Sequence, residues 1–121
     1  MNIMQQMTIK AENVKATTRQ DHYEKVQAIL RNGELYGEVQ TTADGKITVD
    51  IEWGDWKHEH GYLKYLMKQN GYVHLSEEVT EEDGSDCYSA SHTFMYLTDY
   101  IRMKKNEIFS SEANYKKVMG A

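Results

Sequence analysis

The apolar positions of the chain switch between two periods. Met7, Ile9 and Ala11 alternate with Thr8 and Lys10, which predicts a half-buried strand over residues 7–11. Thr17-Thr18 offers a helix cap, with Asp21 three residues after Thr18. Tyr23, Val26, Ile29 and Leu30 then form one helical stripe that ends at Asn32-Gly33, expected in the left-handed manner. Leu35 to Gln40 reads as a strand, and Asp44-Gly45 as a tight turn. Ile47, Val49, Ile51 and Trp53 alternate with Thr48, Asp50 and Glu52, the clearest strand pattern in the chain.

Gly54-Asp55 breaks that strand, and Asp55 is placed to cap a second helix. Its expected buried stripe is Trp56, Leu63, Leu66 and Met67, with Lys57, Lys64 and Lys68 outward and Asn70-Gly71 at its end. Tyr72 to Val79 is strand-like, with Val73, Leu75 and Val79 on one face. An acidic turn, 81–86, leads to a further strand from Cys87 to Leu97 that carries Tyr88, Ala90, His92, Phe94 and Tyr96 on one side. Asp99–Asn106 and Glu112–Met119 read as two short helices, with Ser110-Ser111 as a cap between them. The order β-α-β-β-α-β-β predicts an α+β fold: a ferredoxin-like split β-α-β-β-α-β with an added antiparallel strand. Residues 1–97 would form the sandwich domain and 98–121 a C-terminal helical tail, packed on the domain or on a partner.

The length, 121 residues, suits one domain, and 13 aromatic residues supply a core. Cys87 is the single cysteine, so no intramolecular disulfide forms, and a reducing, cytoplasmic setting is expected. No signal peptide pattern or run of about 18 apolar residues is present, which argues against a membrane partner.

The net charge is −5, unevenly spread. Residues 34–86 carry 13 acids against 4 lysines, a balance of −9, while the remainder carries 6 acids against 10 bases. Such a middle repels phosphate backbones and favours a basic partner or a cation. The densest cluster is Glu77, Glu78, Glu81, Glu82, Asp83 and Asp86, with no base among them. It is expected to form an acidic prong for a basic protein surface, extended by Asp50 and Glu52. A solvated hairpin tip explains the same run without a partner.

Phosphate-binding loops, zinc-protease and nucleophile-elbow motifs, and an EF-hand are all absent from the sequence, so no catalytic residue is assigned. The donor types for a metal exist: Asp55, His58, His60 and His92 are the candidate ligands, with zinc the fitting ion. Residues two apart on a helix point about 200° from each other, so His58 and His60 would not both ligate one ion. A Cys87–His92 nucleophilic pair is disfavoured, because residues five apart on a strand face opposite sides. An RNA-binding sheet is disfavoured by the charge balance.

Gly54-Asp55-Trp56-Lys57-His58-Glu59-His60, together with Glu77 to Asp86, resembles a class of small proteins from phages and mobile elements of Firmicutes, over roughly residues 45–96. Small acidic phage proteins include inhibitors of host defence, among them anti-CRISPR proteins that occupy a nuclease's nucleic-acid groove. The resemblance implies an inhibitor or adaptor for a basic host protein and carries no site residue with it; separately, a monomer or homodimer is expected. The basic tail (Arg102, Lys104, Lys105, Lys116, Lys117) departs from a pure nucleic-acid mimic.

Overall fold

The structure, a computed structural model, describes residues 19–118, with side chains to residue 108. The expected strand 7–11 and the Thr17-Thr18 cap lie outside the described residues. Helix α1 (Arg19–Asn32) is followed by strands β1 (Glu38–Thr41) and β2 (Lys46–Asp55). A π-helical turn (Trp56–Gly61) runs into α2 (Tyr62–Gln69). Strands β3 (Tyr72–Glu82) and β4 (Cys87–Tyr96) and helix α3 (Leu97–Val118) complete the order. The class is α+β. The described strands form one antiparallel sheet in the order β1-β2-β4-β3, so β4, the strand additional to the split βαβ order, is internal.

Both α1 and α2 cover one face of this sheet. Val26, Ile29 and Leu30 of α1 and Leu63 and Met67 of α2 meet Val39, Ile47, Val49, Ile51, Tyr72 and Phe94. The period-2 pattern of β2 therefore points Ile47, Val49 and Ile51 at the helices and Thr48 and Asp50 at the far side. Gly33, just after α1, lies against α2: a Cβ there would sit 2.5 Å from Leu66 Cδ1. The left-handed residue after α1 is Glu34 (φ 56°), one place beyond the expected Asn32-Gly33.

Several expectations are corrected. Helix α3 is continuous through Ser110-Ser111, replacing the two short helices, because no glycine or proline interrupts residues 97–118. Trp53 and Trp56, expected in the core, are 44% and 54% exposed. Trp53 lies in a bulge of β2, where the register shifts between Ile51 and Gly54, and takes a left-handed φ of 48°. Its N–H donates to Ser89 Oγ at 2.9 Å, which pins the bulge. Trp56 opens a turn whose i→i+5 hydrogen bonds add about one residue per turn. The extra residue rotates it off the stripe that a 3.6 period assigns. Strand β3 holds two more register shifts, between His74 and Ser76 and between Val79 and Glu81. As a result Val73 pairs with Met95 while Val79 pairs with Ala90, so these two valines do not share a face.

Candidate metal centre

Asp55 does what its position predicts. Its Oδ1 accepts from the N–H groups of Lys57 (2.9 Å) and His58 (2.8 Å), and these bonds hold its carboxyl below the usual carboxylate range. The cap fixes the start of the π-helical turn. That turn leaves His58 exposed and drives His60 into the interior, where it is fully buried. His92 comes from the middle of β4 and is also fully buried.

Glu77 reaches the same place through the first bulge of β3. Tyr72 pairs with Tyr96, and that register, continued, would set Ser76 against His92; the shift sets Glu77 there instead. One potential donor atom each from His60, Glu77 and His92 lies within 4.8 Å of the others, the one such group of three among the described residues. Of the sequence-predicted ligands, His60 and His92 are thus brought together, while Asp55 and His58 stay outside the cluster. His58 and His60 face apart, the one exposed and the other buried, and neither shares a donor group with Asp55.

The hydrogen bonds define a directed chain. His60 Nε2 lies 2.8 Å from the Tyr88 carbonyl oxygen. A carbonyl only accepts, so His60 carries its proton on Nε2. His60 Nδ1 lies 2.8 Å from His92 Nε2, and His92 Nδ1 lies 3.2 Å from His74 Nε2. With all three rings neutral, one arrangement satisfies every contact: His74 donates to His92, His92 to His60, and His60 to the backbone. In this arrangement His60 Nδ1 accepts from His92 Nε2–H, so a metal shared by those two nitrogens would require His92 to carry its proton on Nδ1 instead, with His74 Nε2 accepting. The His60 ring stacks on Tyr88 at 4.0 Å between centroids, which sets its plane.

Electrostatics disfavour the charged forms of His92 and His74. Burial pushes His92 down to about 4; Glu77, 3.4 Å from its Nε2, opposes that shift, and His60, His74 and Lys64 reinforce it. Burial also lowers His74, with Lys64 adding to the effect. Glu77 is the wet member, its side chain one-quarter exposed. It accepts from the Tyr88 hydroxyl at 3.3 Å and has Lys64 Nζ at 4.0 Å.

Two imidazole nitrogens and a carboxylate are the donor types that zinc takes. A metal-ligating histidine commonly donates its other N–H to a backbone carbonyl, as His60 does to Tyr88. Zinc–nitrogen bonds of about 2.0–2.1 Å at a tetrahedral ion separate two nitrogens by roughly 3.3 Å. The 2.8 Å pair must therefore open by about 0.5 Å to admit the ion.

The acids named for partner binding divide. Glu77 turns to the helix side and joins the histidines. Asp50 and Glu78 flank Ser91 on the opposite side of the sheet, with Glu38 directly across from Asp50. Glu81 pairs with Ser89 on that same side, Glu82 and Asp83 are exposed near the hairpin tip with Asp86, and Glu52 is exposed at the β2 bulge. Cys87 is half-buried and pairs with Asp55.

Residue spacing held one unused signal: His60, Leu63 and Met67 stand at i, i+3 and i+7, which marks His60 as inward. Glu77 had none, because a bulge is invisible to a period-2 pattern. The His74–His92 contact is diagonal, since His74 pairs with Phe94 across the ladder. Comparison with protein-family models, curated proteins and solved structures finds no match to this chain.

Proposed function

We propose that this protein is a metal-binding domain that holds one zinc ion through His60 Nδ1, His92 Nε2 and the Glu77 carboxylate. The observation that carries this reading is the convergence of three donors from three separate elements, with the far side of His60 anchored on Tyr88. Three protein ligands leave a fourth position for water, the arrangement of hydrolytic rather than closed structural zinc sites. Glu77 is the exposed ligand, so that position opens on its side. Lys64 and the Tyr88 hydroxyl, both beside Glu77, are the groups available to steady a developing negative charge. Elemental analysis of untagged protein should give one zinc per chain, and His92→Gln should lose it. Less than about 0.1 zinc per chain after reconstitution and dialysis removes the proposal.

A second reading rests on the opposite side of the sheet. Glu38 stands directly across from Asp50, and Glu78 lies one strand beyond Ser91. Like charges placed directly opposite destabilise a strand pair, a cost that a basic partner would offset. In this reading the domain is an adaptor or inhibitor that docks a cationic protein surface, such as the nucleic-acid groove of a nuclease. Replacing Asp50, Glu78 and Glu81 with Lys should abolish salt-dependent capture of such a partner. Capture that survives the triple change intact excludes this surface.

A further inference from the structure

A cleft of about 650 Å³ opens beside the π-helical turn, lined by Trp56, Lys57, His58, Gly61, Tyr62 and Lys64. Its walls hold two lysines, a histidine and two aromatic rings, and no acid, in a chain of net charge −5. Lys57 makes no ion pair among the described residues, and the carboxylate nearest Lys64 is 4.0 Å away. Trp56 and Tyr62 are 54% and 39% exposed, so both rings offer a face to solvent. Tyr65, beside them, stacks on Tyr62 at 6.4 Å between centroids.

The arrangement leaves the Trp56 indole more than half exposed. A regular α-helix from residue 56 would bring Trp56 onto the stripe of Leu63 and Met67, and tryptophan is among the side chains that gain most from burial. The π-helical turn forgoes that burial and sets the indole at the rim of a cationic concavity. Such turns are rare, and many lie at functional sites.

The geometry points to a binding site for a small aromatic anion, a nucleoside phosphate in class. The planar base would stack on Trp56 and Tyr62. The phosphate would lie between the Lys57 and Lys64 ammonium groups. Asp55 already occupies the N–H groups of Lys57 and His58, so charge recognition falls to the side chains. The volume matches a single small ligand and not a protein segment. None of His60, Glu77 and His92 lines the cleft, and Lys64, 4.0 Å from Glu77, is the group the two sites share.

Calorimetric titration of EDTA-treated protein tests it, with adenosine 5′-monophosphate, adenosine, inorganic phosphate and a ten-residue oligodeoxyadenylate as probes. The monophosphate should bind one-to-one with a Kd of about 1 mM or tighter. Adenosine and phosphate should each bind at least about 10-fold more weakly, since each keeps one half of the recognition. Trp56→Ala and Lys57→Gln should each weaken binding about 10-fold, with circular dichroism spectra unchanged because neither side chain is buried. No saturable binding of the monophosphate up to about 10 mM overturns the inference, as does an affinity that neither substitution changes. Oligonucleotide binding about 100-fold tighter than the monophosphate also overturns it, and assigns the cleft to single-stranded nucleic acid.

Discussion

The buried histidine chain makes the stability of the metal-free protein depend on pH in a window set by His92. Its ring is fully buried, and burial holds its pKa at about 4 against 6.5 for an unfolded histidine. Between those values the unfolded ring carries a proton that the native ring does not. The unfolded state therefore binds more protons, and unfolding free energy rises with pH. Above about 6.5 both states are neutral and His92 contributes no slope; below about 4 both are protonated and the whole penalty applies. At about 1.4 kcal/mol per pH unit, this window amounts to about 3 kcal/mol. That is a large share of the 5–15 kcal/mol usual for a domain. His22 and His74, also lowered by burial, add to the slope with the same sign. Asp55 and Asp83, held low by their hydrogen bonds, act in a more acidic window, since their contribution is lost only as pH falls below the ordinary carboxylate value of 3.8. Urea unfolding followed by circular dichroism in EDTA, from pH 4.5 to 7.5, measures the dependence. The stability of the wild type should fall steeply below pH 6.5, and His92→Gln should fall less, by up to about 3 kcal/mol across the whole window. Parallel pH dependences for the two proteins would refute the assignment of the window to His92.

Three further outcomes follow from the same contacts. Zinc at about 100 times its Kd should raise the stability by about 3 kcal/mol, seen as a melting shift of roughly 10 °C that His60→Ala and Glu77→Ala each remove. Asp55→Ala should lower the melting temperature by a few degrees through loss of the cap and leave one zinc per chain, which separates capping from ligation in a combined melting and elemental measurement. Gly54→Ala should cost about 1–3 kcal/mol in urea unfolding, because the added Cβ would meet Ile51 Cγ2 at 2.6 Å and the Glu59 side chain at 3.1 Å.

The parts of the fold that the sequence discloses are those built from one uninterrupted period. The alternation of Ile47, Val49 and Ile51, the stripe of Val26, Ile29 and Leu30, and the cap at Asp55 each rest on neighbours within a turn or a strand, and each is found in place. The parts it conceals are the insertions of a single residue. One extra residue in the π-helical turn moves Trp56 to the surface, and one in β2 leaves Trp53 exposed with a left-handed backbone. One in β3 changes which residue meets His92. No local pattern marks these positions, since each is settled by long-range packing and by bonds such as Trp53 N–H to Ser89 and Trp56 N–H to the Asp86 carbonyl, both of which tie the turn region to the β3–β4 hairpin or to β4.

These irregularities are not scattered. The π-helical turn supplies His60 and the β3 bulge supplies Glu77, while the β2 bulge lies immediately before the turn. Local rules fail where a fold serves something other than its own regularity, and here they fail around one group of donors. With β3 in continuous register Ser76 would face His92, and the two histidines would have no carboxylate from that strand; the bulge is what turns a buried histidine pair into a three-donor set.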